Sequence, residues 1–408
     1  MGVPARLFKT SLQSSLEGLR ACTARTTQRD AVPLAASIAS EVPIYEGSQL
    51  RQWLGEGAAA VEREEQLMDE WHACLGEGPG VFVVRDMVPR EAVDAASRAL
   101  DGILEAEARG SGGRARGDHF AKAGANSRVW NSFEKLAVAD AGAFARYFAN
   151  PLLDLACQAW LGPGYQLTSQ LNVVHPGGQA QDPHRDYHLG FQSAAAAARY
   201  PIATQVASQR LTLQGAVAHS DMPLASGPTL LLPFSQLLPD GYLAYRHAEV
   251  RSAAEASFVQ VPLAKGDGLF FSPALIHAAG TNTTSDVSRA ANLLQVSSPF
   301  GKPMERVDTQ RIIRAVFASA RELYESQVEK GGRGEAGGGV TGGGARATLA
   351  EVKALVRATA SGYAFPANLD TTAPKPDGSM ATTEQDLLWE ALGARWSQDQ
   401  LETELAKL

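Results

Sequence analysis

Apolar positions along this chain follow a helical period towards both ends and a strand-like one through the middle. Leu67, Met68, Trp71 and Leu75 fall on one face of a helix predicted over 61–75. Gly78-Pro79-Gly80 stops it before a buried strand at 81–84. Pro89 then starts a helix to about residue 108, because its fixed φ suits a first helical turn. Residues 110–117 read as a loop whose glycines lack the Lys-Ser/Thr of a phosphate-binding loop. Residues 136–160 predict one or two helices, interrupted at Asn150-Pro151.

The centre of the chain changes period. Stretches 165–174, 209–218, 229–232, 258–263, 268–272 and 290–297 are separated by Gly, Pro, Asn and Asp and are candidate strands. An Ala-rich insertion, 190–201, interrupts them; it is expected to be partly helical and is a candidate lid. Helical spacing returns with Ile312, Ile313, Val316, Phe317 and Ala320. Residues 331–346 are too rich in glycine to build a core. Beyond them Ser397-x-x-Gln400 resembles a capping box, which places Leu401, Leu405 and Leu408 on one face of a last helix.

This pattern divides the chain into an N-terminal tail over 1–55, partly disordered, a main domain over 56–328, a Gly-rich linker over 329–346 and a short helical appendage over 347–408. With 408 residues, 45% of them hydrophobic, the chain can bury a large core. A net charge of −7 gives no electrostatic reason to expect nucleic acid as a partner. No apolar run reaches the ~20 residues of a membrane span. Cys22, Cys74 and Cys157 are too few and scattered for a disulfide framework, which fits reduced thiols in a soluble intracellular, cytoplasmic protein. Arg6, Lys9, Arg20, Arg25 and Arg29 lie among Ser and Thr, a composition shared by tails and organellar transit peptides. In a eukaryote Ala406-Lys407-Leu408 would be a variant peroxisomal address.

The chemistry gathers in Gln181-Asp-Pro-His-Arg-Asp-Tyr-His188. On a strand alternate side chains share a face, so His184 and Asp186 are expected to point the same way, with His188 beside them. Alone, His-x-Asp is a common pattern, and His184 has a plain reading as a core histidine bonded to Asp186. A second cluster changes that balance. Gly266-Asp267 marks a turn, 268–272 a buried strand, and His277 follows; Arg289 then opens the apolar run 290–296. Two ligands on one strand and a distant histidine make the 2-His-1-carboxylate triad of non-haem Fe(II) oxygenases, which leaves open positions for cosubstrate and O2. An arginine at the start of a buried strand is costly unless it meets an anion. Its planar fork suits a carboxylate, and 2-oxoglutarate carries one at its far end.

Four stretches, Gly80-Val-Phe-Val-Val-Arg-Asp-Met-Val-Pro-Arg90, Gln181-x-x-His184-x-Asp186, Ser226-Gly-Pro-Thr229 through Pro233-Phe-Ser-Gln236, and His277-x-x-Gly280-x-Asn282 with Arg289, together resemble the phytanoyl-CoA dioxygenase family of Fe(II)/2-oxoglutarate oxygenases. The resemblance implies a mainly β core with helices packed on it, a double-stranded β-helix (jelly roll, cupin-like), with a helical C-terminal appendage. It implies Fe(II) on His184, Asp186 and His277, 2-oxoglutarate held by Arg289, and O2-dependent hydroxylation of a small molecule with release of succinate and CO2. Three departures stand out. Phe234 and Gln236 replace a usual Gly and His, residues 283–288 carry one extra residue before Arg289, and Ala279 replaces a hydroxyl side chain. The last shifts one expected cosubstrate hydrogen bond to Thr281 or Thr284.

His188 is expected in the substrate pocket, since a fourth ligand would block a position that the cosubstrate needs. Arg128 and Lys122 are candidates to touch substrate or cosubstrate, against a plain reading as a solvated face. Two other functions compete. A cupin-type metal enzyme without 2-oxoglutarate has no need of Arg289, and a non-catalytic jelly-roll binding protein has no need of the triad, whose buried His and Asp cost stability unless paired. Acyl-CoA, lipid, amino acid and specialised metabolite all stay open as substrates, because pocket loops vary on a shared fold.

Overall fold

A computed structural model of the chain describes residues 11–54, 58–110, 125–332, 349–364, 376, 378 and 380–408. The strands are β1 (Ser37–Ala39), β2 (Val42–Glu46), β3 (Val81–Arg85), β4 (Asn126–Val129), β5 (Gln166–Val174), β6 (Thr212–Ala218), β7 (Leu230–Leu231), β8 (Gly268–Phe271), β9 (His277–Ala278) and β10 (Arg289–Ser297). Eight form one sheet in the order β1-β2-β3-β8-β6-β10-β5-β4. Only β2 and β3 pair in parallel; the other neighbours are antiparallel. β7 and β9 pair separately, and single bridges widen that ladder, His184 to His277 and Leu231 to Val259.

Alternation along the strands sorts their side chains. Leu167, Leu171, Leu213, Val217, Leu294 and Val296 join the main hydrophobic cluster beneath the helices. Gln170, Asn172, Gln214, Leu293 and Gln295 line a cavity. The helix Thr309–Gly332 buries Ile312, Ile313, Val316 and Phe317 in the cluster and runs past the expected start of the linker at 329. Three helices, Ser132–Ala139, Ala141–Phe148 and Pro151–Leu161, replace the one or two expected over 136–160. Asp140 separates the first two and caps the second through Ala143 N; Asn150 caps the third, with Pro151 in its first turn.

Of the tail expected over 1–55, the described residues 11–54 are built into the fold. The helix Leu12–Thr23 packs Leu19 and Cys22 against Leu232, Phe234 and Leu238, and β1 and β2 lengthen the main sheet. The parallel partner of β2 lies nearly forty positions away (Ile44 opposite Val83), a pairing that no local pattern announces. Segment 258–263 is not a regular strand, its backbone pairing confined to isolated bridges at Val259 and Leu263; Pro262 within it lacks the N–H that a ladder needs. The appendage packs on the core. Val352 and Leu355 of the helix Leu349–Thr359 enter the main cluster, and Arg357 Nη1 lies 2.7 Å from Asp154 Oδ2. The capping box at Ser397 forms, with Leu401 and Leu405 buried, but Leu408 is exposed rather than on the packed face. Among the described residues no helix is long and apolar enough to cross a membrane.

Candidate metal centre

His184 and Asp186 sit on an extended segment held by single backbone bonds rather than on a regular strand. His184 N donates to His277 O at 2.9 Å, His277 N returns the bond at 3.0 Å, and Asp186 N donates to Pro273 O at 3.0 Å. Donor atoms of His184, Asp186 and His277 all lie within 4.8 Å of one another. His184 Nε2 is 3.5 Å from Asp186 Oδ1, and His277 Nε2 is 3.4 Å from Oδ2. The remaining ring nitrogens face carbonyls: His184 Nδ1 is 2.8 Å from Asp182 O and His277 Nδ1 is 2.9 Å from Leu275 O. A carbonyl only accepts, so each Nδ1 carries a proton, and Nε2, turned towards Asp186, is the atom that a neutral imidazole would offer to a metal.

Burial alone would raise the Asp186 carboxyl, but the charge of His184 and the hydrogen bonds from His277 and Gln214 outweigh it and hold the group well below the usual carboxylate range. Two imidazoles and an ionised carboxylate converging from one side fit the Fe(II) facial triad. The centre also has a support that its sequence motif concealed. Arg185, between two of these residues, is fully buried on the far side, donating from Nη2 to the Ser235 and Leu238 carbonyls. Gly241 makes room for it: a Cβ there would lie 1.8 Å from the guanidinium carbon.

His188 does not share the face of His184 and Asp186. Tyr187 and His188 take positive φ values of 60° and 30°, the alternation breaks, and His188 is absent from the cavity wall. Arg289 does reach the cavity, whose volume is about 430 Å³ and whose wall includes the triad. It opens β10 opposite Val174 and is 7% exposed. No hydrogen bond or ion pair within the described residues engages its guanidinium, and burial lowers its pKa only to about 10, so it stays charged. The extra residue before it is taken up in a turn, where Asn282 Nδ2 donates to Val174 O and Val287 O at 3.3 and 2.7 Å.

That turn employs the two threonines expected at the cosubstrate. Thr284 Oγ1 donates to Asn282 Oδ1 at 2.6 Å, Thr281 Oγ1 accepts from Ala180 N at 3.0 Å, and neither lines the cavity. Arg128 on β4 does line it, with Nε 3.2 Å from Asn172 Oδ1 and its guanidinium carbon 4.8 Å from the Trp130 ring centre. Lys122 and the loop 111–117 lie outside the described residues. Of the Ala-rich insertion, Phe191 reaches the cavity wall. Phe234, where the resembled family usually has Gly, adopts φ 67°, in the left-handed region that favours glycine. Gln214, which donates to Asp186 Oδ2, was missed among the sequence candidates; its place in the alternation Leu213-Gln-Gly-Ala-Val217 was the available signal.

The family model described as phytanoyl-CoA dioxygenase (PhyH) matches residues 76–291, more than half of the chain. No curated protein matches it. Among solved structures, AviO1 from Streptomyces viridochromogenes Tue57 is 17% identical over 55% of this chain and 92% of its own, with a TM-score of 0.41. The non-heme alpha ketoglutarate dependent carbocyclase SnoK from nogalamycin biosynthesis is 19% identical over 58% of this chain and 85% of its own, at 0.39. The non-heme alpha ketoglutarate dependent epimerase SnoN from the same biosynthesis is 18% identical over 57% and 84%, at 0.38.

Proposed function

This chain belongs to the phytanoyl-CoA dioxygenase family of Fe(II)/2-oxoglutarate-dependent oxygenases, and we propose that it hydroxylates a C–H bond of a small-molecule substrate at His184, Asp186 and His277. The observation that carries the reading is Arg289, a buried, charged guanidinium that meets no anion among the described residues, in the same cavity as the triad. A metal enzyme without 2-oxoglutarate would leave that charge unpaired.

The large sheet and the short ladder of β7, β9 and their bridges are read as the two sheets of a double-stranded β-helix, with His184 and His277 from the ladder and Arg289 from the large sheet. Fe(II), when bound, supplies with 2-oxoglutarate and O2 the oxidising power that turns C–H into C–OH as succinate and CO2 leave. The chain's own part is positioning. The Asp182 and Leu275 carbonyls fix the tautomer and tilt of the two imidazoles. Gln214 steers the Asp186 carboxylate, while the Tyr242 hydroxyl donates to the Asp186 backbone carbonyl at 3.2 Å. Arg289 takes the distal carboxylate of the cosubstrate in its fork. Leu269, Phe271 and Met222 give the cavity an apolar wall that limits water.

Succinate formation from 2-oxoglutarate tests this. Arg289→Ala should raise the 2-oxoglutarate concentration needed for activity by ~10-fold or more, the scale of one charge-assisted contact. Lys at 289 should restore only part of the loss. An unchanged requirement in both variants overturns the assignment. The product made under 18O2 should carry one labelled oxygen, whereas a desaturated or ring-closed product overturns hydroxylation.

A further inference from the structure

Gln170 on β5, Gln214 on β6 and Gln295 on β10 line the cavity, and none is more than 6% exposed. Gln295 lies opposite Gln214 in one ladder and opposite Thr168 in the other, two positions along from Gln170. The three amides therefore occupy one patch of one face. The side-chain carbonyl oxygen of each is buried and meets no donor among the described residues.

For two of them chemistry fixes which end of the amide is free. Gln170 Nε2 lies 2.9 Å from Glu305 Oε2, and Gln214 Nε2 meets Asp186 Oδ2. A carboxylate accepts and does not donate, so the nitrogen must face it and the oxygen must be the end left over. A buried amide oxygen without a donor costs stability, and folded proteins keep such groups few. Three on adjacent strands, in the wall of the cavity that holds the triad, point to a ligand that brings the donors.

Resting on the oxygenase reading above, we infer that the substrate is a small molecule bearing several hydroxyl or N–H donors on the side laid against β5, β10 and β6. Its carbon skeleton lies against Phe271, Leu269 and Met222. A saturated acyl chain would leave all three oxygens without donors. A CoA thioester would bring phosphates to a wall whose only Arg or Lys residues, among those described, are Arg128 and Arg289. Sites built to hydrogen-bond a substrate hydroxyl or amine reject analogues without it by ~10⁴-fold, whereas an apolar pocket discriminates by only ~100-fold.

The test uses the full-length enzyme with Fe(II) and 2-oxoglutarate, measuring succinate formation with a panel of amino sugars, cyclitols and hydroxylated amino acids, and in parallel with palmitate and palmitoyl-CoA. Donor-bearing compounds should stimulate turnover, and the palmitoyl compounds should not. In Gln295→Met, of similar volume, the thermal midpoint should hold or rise, because a buried acceptor without a donor is removed. The KM for the stimulating compound should rise by ~10-fold, the scale of one hydrogen bond lost. A lowered midpoint means that the amide has a partner inside the protein and overturns the inference. So does stimulation by palmitoyl-CoA, or a donor-bearing panel that is silent while unstimulated 2-oxoglutarate turnover persists. Absence of any 2-oxoglutarate turnover overturns the oxygenase reading and this inference together.

Discussion

The two faces of the large sheet are made by the same strands and follow opposite rules. Beneath the helices, Leu213, Val217, Leu294 and Val296 are each 0% exposed. Of the buried polar groups on that side Trp71 Nε1 and the Gln327 amide meet no partner among the described residues, but two of the ionisable ones are matched. His219, just past β6, has Nδ1 2.9 Å from Ser97 Oγ and Nε2 2.9 Å from Tyr147 Oη. Asp154 receives Tyr165 Oη at 3.0 Å and Arg357 Nη1 at 2.7 Å. Towards the cavity the same strands bury Arg289 and three glutamine carbonyls whose partners are not within the described residues. A matched polar group is part of the architecture, whereas a set of unmatched ones around a cavity marks where a ligand completes the structure.

Breaking the cavity side should cost activity without stability. His277→Ala removes one of the two imidazoles, and turnover should fall by more than ~100-fold, a scale already reached on losing a partner outside the ligand set. Circular dichroism and thermal midpoint should stay near the parent values; a collapse of the fold would show that His277 belongs to the architecture. The next effect separates adjacent residues of β10. Leu294→Ala opens a hole in the main cluster and should cost ~2–5 kcal/mol of stability. Leu293→Ala, half-buried and facing the cavity, should cost less than ~1 kcal/mol. Equal losses in urea denaturation would erase the distinction between the faces.

Much of the site was legible because its chemistry needs particular residues at particular spacings. The pair His184 and Asp186, the later His277 and the lone Arg289 at a strand start are one-dimensional signals, and the structure brings all four to one cavity. What escaped depends on the sign of φ or on distant contacts. His188 was assigned by alternation, and two positive-φ residues end the alternation there. Thr281 and Thr284 carry the right hydroxyls but are used in the turn that absorbs the extra residue. Gln214 acquires its meaning only from facing Asp186, and Gln295 only from the register of β10 between β5 and β6. The alternation Arg289, Ala291, Leu293, Gln295 against Leu294 and Val296 was visible in the sequence as a polar edge on an apolar run. In the fold, long periodic helices were legible, whereas β1 and β2 were not, because their pairing is set by β3 from a distance.

The smallest effect sharpens the comparison from the matched side. Burial, with Lys265 nearby, draws the His219 pKa down to about 3. In the unfolded chain a histidine titrates near ~6.5. Above that value neither state binds the proton, so the titration of His219 leaves stability untouched. Between the two values the unfolded state binds more protons than the folded one, so stability falls as the pH is lowered, by at most ~1.4 kcal/mol per pH unit from this residue. Carboxylates add their own acid sensitivity, so the measurement is a difference. Denaturation of the parent and of His219→Gln is followed from about pH 7 to about pH 4.5, the range over which a free histidine gains its proton. Glutamine can keep a hydrogen bond to Ser97 or Tyr147 but cannot titrate, so the variant should start less stable and lose less on acidification. Parallel profiles would mean that folded His219 accepts the proton as readily as the unfolded chain does, and the helix-packed face would then hold a polar group less firmly matched than its two 2.9 Å contacts indicate.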